Sequence, residues 1–130
     1  MLRSPVRVLD VGIGVAILVL GLAGVLSTAT HPAEREQVFG LFAANLPQAL
    51  VHVVLGGALV AAGAAAERIA RIAAQLGGTL LLALGIAGLF LVDSGIDVLA
   101  LGASDNLAHF CAAVVLLTAG FGIPERAGAS

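Results

Sequence analysis

From Phe110 to Ile123 the chain offers a single polar side chain, Thr118. No soluble surface accommodates such a run, and it is one of four, at about 8–28, 47–66, 72–92 and 105–123. Each approaches the roughly 20 residues that an α-helix needs to cross a hydrocarbon layer. Inside lipid every backbone N–H and C=O must be satisfied within the protein, which leaves helices or a closed barrel. Apolar runs of this length select helices. The expected fold is therefore all-α and integral to a membrane, with four transmembrane helices in one domain, residues 1–130.

Composition agrees. Hydrophobic residues make up 60% of the chain and charged residues 11%, with a mean hydropathy of +1.12. Soluble domains carry about a quarter charged residues. The net charge of −2 and the scattered basic residues exclude a nucleic-acid partner. Cys111 is the only cysteine, so one chain can form neither a disulfide nor a cysteine metal cluster. All six basic residues are arginine, a usage typical of GC-rich genomes.

Met1–Arg7 reads as a short basic leader ahead of the first span, which Asp10 interrupts near its start. A cleaved signal peptide shares that pattern. The run nevertheless has a partner later in the chain: Leu18–Gly24 and Leu82–Gly88 share L-x-L-G-x-A-G. It therefore reads as a span. Between the first and second spans, Pro32 followed by Glu34 and Glu36 looks like a helix start. Val38, Leu41 and Phe42 then fall at helical spacing. A short amphipathic helix at the outer surface is expected within about Ala33–Ala43. Glu67–Arg71 is expected to be a tight basic turn, and Asp93–Asp97 to begin an acidic outer loop.

Arginines set the orientation. Arg3, Arg7, Arg68, Arg71 and Arg126 fall on one side and only Arg35 on the other, so both termini are expected in the cytoplasm of a bacterial plasma (inner) membrane. The chain also repeats itself. Laying His52 on His109, a displacement of 57 positions, brings Leu50 onto Leu107, Gln48 onto Asp105 and Gly63 onto Gly120. Two hairpins in the same orientation, related by a pseudo-two-fold axis along the membrane normal, follow. Such an axis places the two histidines at one depth, on opposite sides of it. The paired glycines at 21 and 24, 56 and 57, 77 and 78, and 85 and 88 supply surfaces for close helix packing. Small residues could equally make room for a flat cofactor.

The polar residues gather where the second and fourth spans open: Asn45, Gln48 and His52, then Ser104, Asp105, Asn106 and His109. Ser104, Asp105 and Asn106 suit the first turn of a helix, and Asp105 also suits its positive end. Asp105 and His109 lie four residues apart on one face, as do Gln48 and His52. A carboxylate on one imidazole nitrogen fixes the tautomer and frees the other nitrogen, an arrangement used for metal-bound histidine.

These two openings resemble those of small four-span bacterial membrane proteins, common in actinobacteria, in the domain-of-unknown-function family numbered 4383. Asp105, Asn106 and His109 match its D-N-x-x-H motif residue by residue. In the earlier motif Asn45 and His52 match, while Gln48 and Ala49 stand where the family tends to have histidine and asparagine. The resemblance spans about Val8 to Gly120 and brings no activity with it.

Three functional readings follow. In the first, the histidines and their neighbours are polar glue between helices, and the protein is a non-catalytic scaffold or accessory subunit of a larger membrane complex. Its partners are then the lipid bilayer and other membrane subunits, with no cofactor. In the second, His52 and His109 are ligands to haem b or a shared metal, serving electron transfer. In the third, the ionisable residues line a proton or small-solute path. Signatures of soluble enzymes (G-x-S-x-G, a P-loop, His-Glu-x-x-His) are absent from the sequence.

Overall fold

A computed structural model describes residues 4–30, 37–38, 42–43, 45–91, 94–96 and 102–124. Among these, four helices are long and apolar enough to cross a membrane. Helix α1 spans Pro5–Thr30, α2 Leu46–Ala64, α3 Glu67–Leu91 and α4 Ala103–Leu117, the last continued by a π-helical turn at Thr118–Gly122. Pro5 occupies the first turn of α1, where its missing N–H costs nothing. Pro124 follows the π-turn, where a proline cannot extend the ladder. This is the all-α, four-span architecture that the apolar runs dictate.

Two local expectations are corrected. Within Ala33–Ala43 the described residues are not helical: Gln37–Val38 (β1) pairs antiparallel with Phe42–Ala43 (β2), with Val38 opposite Phe42. A helix this short must overcome a costly nucleus. Val38 and Phe42 are strand-favouring residues, and Val38 gains burial there. Ala33–Glu36 and Phe39–Leu41 lie outside the described residues. The second correction concerns Glu67–Arg71, which is helix rather than turn. The reversal needs only Ala65 and Ala66, because the Ala65 N–H closes α2 by donating to Ala61 O and Ala62 O, each at 3.1 Å. Glu67 then sits favourably in the first turn of α3. Arg3, Arg35, Asp93, Asp97 and Arg126 lie outside the described residues.

The centre of the bundle is built from Ile17, Leu59, Leu81 and Leu116, with Ala70, Ala74, Ala113 and Ala119 between them. Val54, Leu76, Phe90 and Phe121 point outward, as helices bathed in lipid require.

Contacts within the first hairpin recur within the second. Helix α1 maps onto α3 at 64 positions (Leu18 to Leu82), and α2 onto α4 at 57. Gly14 faces Leu59 and Val60, while Gly78 faces Leu116 and Leu117. Gly21 faces Val53, and Gly85 faces Phe110. Gly24 meets Ala49, and Gly88 meets Asn106. Each glycine and each partner is the other's repeat equivalent. Gly57, by contrast, has nothing within 4 Å and serves no contact.

Candidate functional site

Asn45 starts the first half of the site. Its extended backbone places Oδ1 to accept the Gln48 N–H at 3.1 Å, capping α2. One residue beyond Pro47, Gln48 is thereby fixed on the inner face, with His52 one turn deeper. In α4 the cap position falls to Gly102, and Asp105 in the first turn reaches back so that its Oδ2 accepts the Gly102 N–H at 3.3 Å. This is the carboxylate half of a capping box. The dipeptide Asp105-Asn106 is therefore a helix-start element, as its residue types suggest, although the cap itself lies three residues upstream.

The structure brings four of these seven residues together, in pairs other than those that the i, i+4 spacing favours. Gln48 Nε2 donates to Asp105 Oδ1 at 2.7 Å, and His52 Nε2 meets His109 Nε2 at 3.2 Å. In both pairs the partners are 57 positions apart. A residue that touches its own repeat equivalent lies at the axis relating the repeats, as in an isologous interface. The histidines thus approach from opposite sides and meet between the two hairpins. The expected Asp105–His109 bond is not made: His109 uses Nε2 on His52, and its Nδ1 has no hydrogen-bond partner among the described residues. Inward-facing equivalents on α2 and α4 reach each other more directly than neighbours stacked on one helix.

All four side chains are buried, none more than 9% exposed. The imidazole centroids lie 5.5 Å apart with the ring planes tilted by 59°. That separation is the Nε2 contact plus little more than a ring radius at each end, so the rings meet head-on. A hydrogen bond between two neutral imidazoles needs one Nε2–H and one bare Nε2. The pair must hold opposite tautomers despite its repeat symmetry. Asn106 is also buried but stands apart, its carboxamide against Gly88 and its Oδ1 without a hydrogen bond.

A cavity of about 10 Å³ adjoins the cluster, lined by Gln48, His52 and Asp105 on one side and by Val38 and Phe42 of the β-hairpin on the other. This is room for about one water. Gln48 Oε1, also buried, has no hydrogen-bond partner among the described residues.

At the opposite end of the bundle lies a feature that the motif search passed over. Arg7 Nε donates to Gly63 O at 2.8 Å, and Arg71 Nη1 donates to Gly120 O at 3.2 Å. Arg7 and Arg71 are repeat equivalents, as are Gly63 and Gly120. Each arginine of a hairpin's first helix clasps the last carbonyls of its second, which suits the negative end of a helix dipole. Arg7 adds a bond to Ala64 O at 2.9 Å, and Arg71 one to Ile123 O at 2.6 Å. Gln75 Nε2 also donates to Gly120 O, at 2.9 Å. The signal was present in the two displacements, 64 and 57, applied together.

Asp10 is fully buried, and among the described residues neither carboxyl oxygen has a hydrogen-bond partner. It faces Gly63 from α1, close to the Arg7 clasp.

A four-helix membrane bundle with a polar pin between its second and fourth helices is the class of protein that these observations define. The chain belongs to the family described as Domain of unknown function (DUF4383), whose sequence profile matches residues 7–122. No curated protein and no solved structure matches it.

Proposed function

We propose that the chain is a non-catalytic structural or accessory subunit of a larger complex in the bacterial plasma membrane, with both termini in the cytoplasm. The observation that carries this reading is the size of the space beside the polar cluster. At about 10 Å³ it holds a water, whereas small-molecule sites enclose roughly 300 Å³ or more. The polar side chains are used internally. Gln48 binds Asp105, His52 meets His109, and Arg7 and Arg71 bind helix ends of the same chain. Such groups fix helix register in lipid, where burial of apolar surface does not drive helices together.

Haem b does not fit the seam. Two axial bonds of about 2 Å each would hold the imidazole nitrogens roughly 4 Å apart with a porphyrin between them. It is the macrocycle that lacks room, because the Gln48–Asp105 bond closes the seam one turn above the facing nitrogens. A continuous proton or solute path is disfavoured by the apolar layer of Ile17, Leu59, Leu81 and Leu116 in the core.

The test is extraction into native-lipid discs followed by native electrophoresis and mass determination. A stoichiometric second membrane polypeptide is expected, lost when the bundle is unfolded. A chain recovered only as a monomer or homo-oligomer would overturn the reading. Orientation is tested separately by cysteine labelling at position 68 in intact cells, which is expected to fail from outside.

A further inference from the structure

We propose that His52 and His109 form a two-coordinate site for one monovalent copper ion at the seam between the hairpins. The geometry of the two rings carries the proposal. Their Nε2 atoms face each other at 3.2 Å, and the 5.5 Å between centroids makes the approach head-on. A tetrahedral ion would need nitrogen lone pairs that converge off that line, together with two more donors. Among the described residues no third His, Cys, Asp or Glu joins the pair. Head-on imidazoles instead direct both lone pairs to one point on the line between them, the donor arrangement of a linear ion. Imidazole is a good ligand for copper.

Two metal–nitrogen bonds of about 2 Å each require the rings to separate by less than roughly 1 Å. A cavity of about 10 Å³ adjoins His52, with Gln48 and Asp105 also in its lining, so His52 is the side chain with room to shift. The chemistry balances without an oxidant or reductant. In the empty seam one ring donates its Nε2–H to the other. On binding, that proton moves to Nδ1 of the same ring, both Nε2 atoms become ligands, and copper stays monovalent. The Asp105 carboxylate, one turn above His109, offsets the added positive charge.

The experiment uses Ag⁺, a redox-inert ion of the same preferred geometry, on the full chain in detergent. A Cys111→Ser background is needed because Cys111 is an exposed thiol. Native mass spectrometry is expected to show one silver retained per chain, displaced by Cu⁺ but not by Zn²⁺. His52→Gln and His109→Gln should each weaken retention at least tenfold while helical circular dichroism is kept. If either variant fails to fold, ¹⁵N resonances of the histidine rings in the Cys111→Ser chain decide, and both Nε2 signals should move on adding silver. No silver on the folded chain, equal retention by the folded glutamine variants, or Nε2 signals that stay in place would each overturn the site.

Discussion

The two hairpins make the same contacts with different intimacy. In the first, α1 and α2 meet backbone to backbone: a Cβ placed on Gly56 would come 2.5 Å from Leu18 N, and one on Gly21 would come 2.6 Å from Val53 N. In the second, side chains stand between the helices. A Cβ on Gly85 would meet the Phe110 ring at 3.1 Å, and one on Gly78 the Leu117 side chain at 2.8 Å. The cause is legible in the residues. Ala49, Val53 and Val60 of α2 are replaced by Asn106, Phe110 and Leu117 at the equivalent places in α4. Duplication preserved the plan of the hairpin, and side-chain volume set how closely each copy closes. The first hairpin is the rigid half, and the second is the half that can yield.

That contrast predicts unequal responses to one methyl group. Gly21→Ala forces backbone apart and is expected to destabilise the bundle by roughly 3 kcal/mol, the upper range for overpacking. Gly85→Ala asks only an aromatic ring to turn and should cost about 1 kcal/mol. Unfolding measured in micelles or bicelles checks both values. Equal losses would show that the two interfaces are equally tight and would break the comparison.

The next effect lies where the hairpins join. Gln48→Ala removes the 2.7 Å donor of a carboxylate that is 3% exposed. The expected loss is about 2 kcal/mol, in the range for hydrogen bonds to charged groups. Asp105→Ala should cost a similar amount by stranding the Gln48 amide. Because each single change leaves a buried partner behind, the double variant should lose less than the sum of the two. A double-mutant cycle reads that difference directly. Strict additivity would mean that the pair does not hold the seam.

Much of this was readable before any coordinates. Long apolar runs specify membrane helices because lipid leaves the backbone almost no alternative. The repeat pointed to equivalent depths for His52 and His109, and Asp105 could be assigned to the start of α4 by its type. What could not be read was who meets whom. Spacing along one helix favoured Asp105 with His109, yet spacing is silent about what a neighbouring helix presents. Once Gln48 and His52 are turned inward at the axis, their equivalents are the nearest polar groups, and the cross-axis pairs follow. The outer segment failed for a different reason. Val38 and Phe42 fit a helical stripe and a two-residue strand pair equally well, and burial of Val38 over the bundle decided between them.

The smallest expected effect has the opposite sign and concerns a buried carboxyl whose repeat equivalent is apolar. Asp10 is fully buried with both oxygens lacking hydrogen bonds, while its equivalent in α3 is Ala74, also fully buried. Burying a polar group without a partner costs roughly 1–3 kcal/mol by mutational measures, and the small void left by truncation returns part of that. Asp10→Ala should therefore stabilise the first hairpin by about 1 kcal/mol, and Ala74→Asp should destabilise the second by at least as much. Both are read by the same unfolding measurement. If Asp10→Ala weakened the bundle instead, the carboxyl would have a partner beyond the described residues or beyond this chain. The hairpins would then differ at their arginine-clasped end by a binding role, and side-chain volume alone would no longer account for the asymmetry between them.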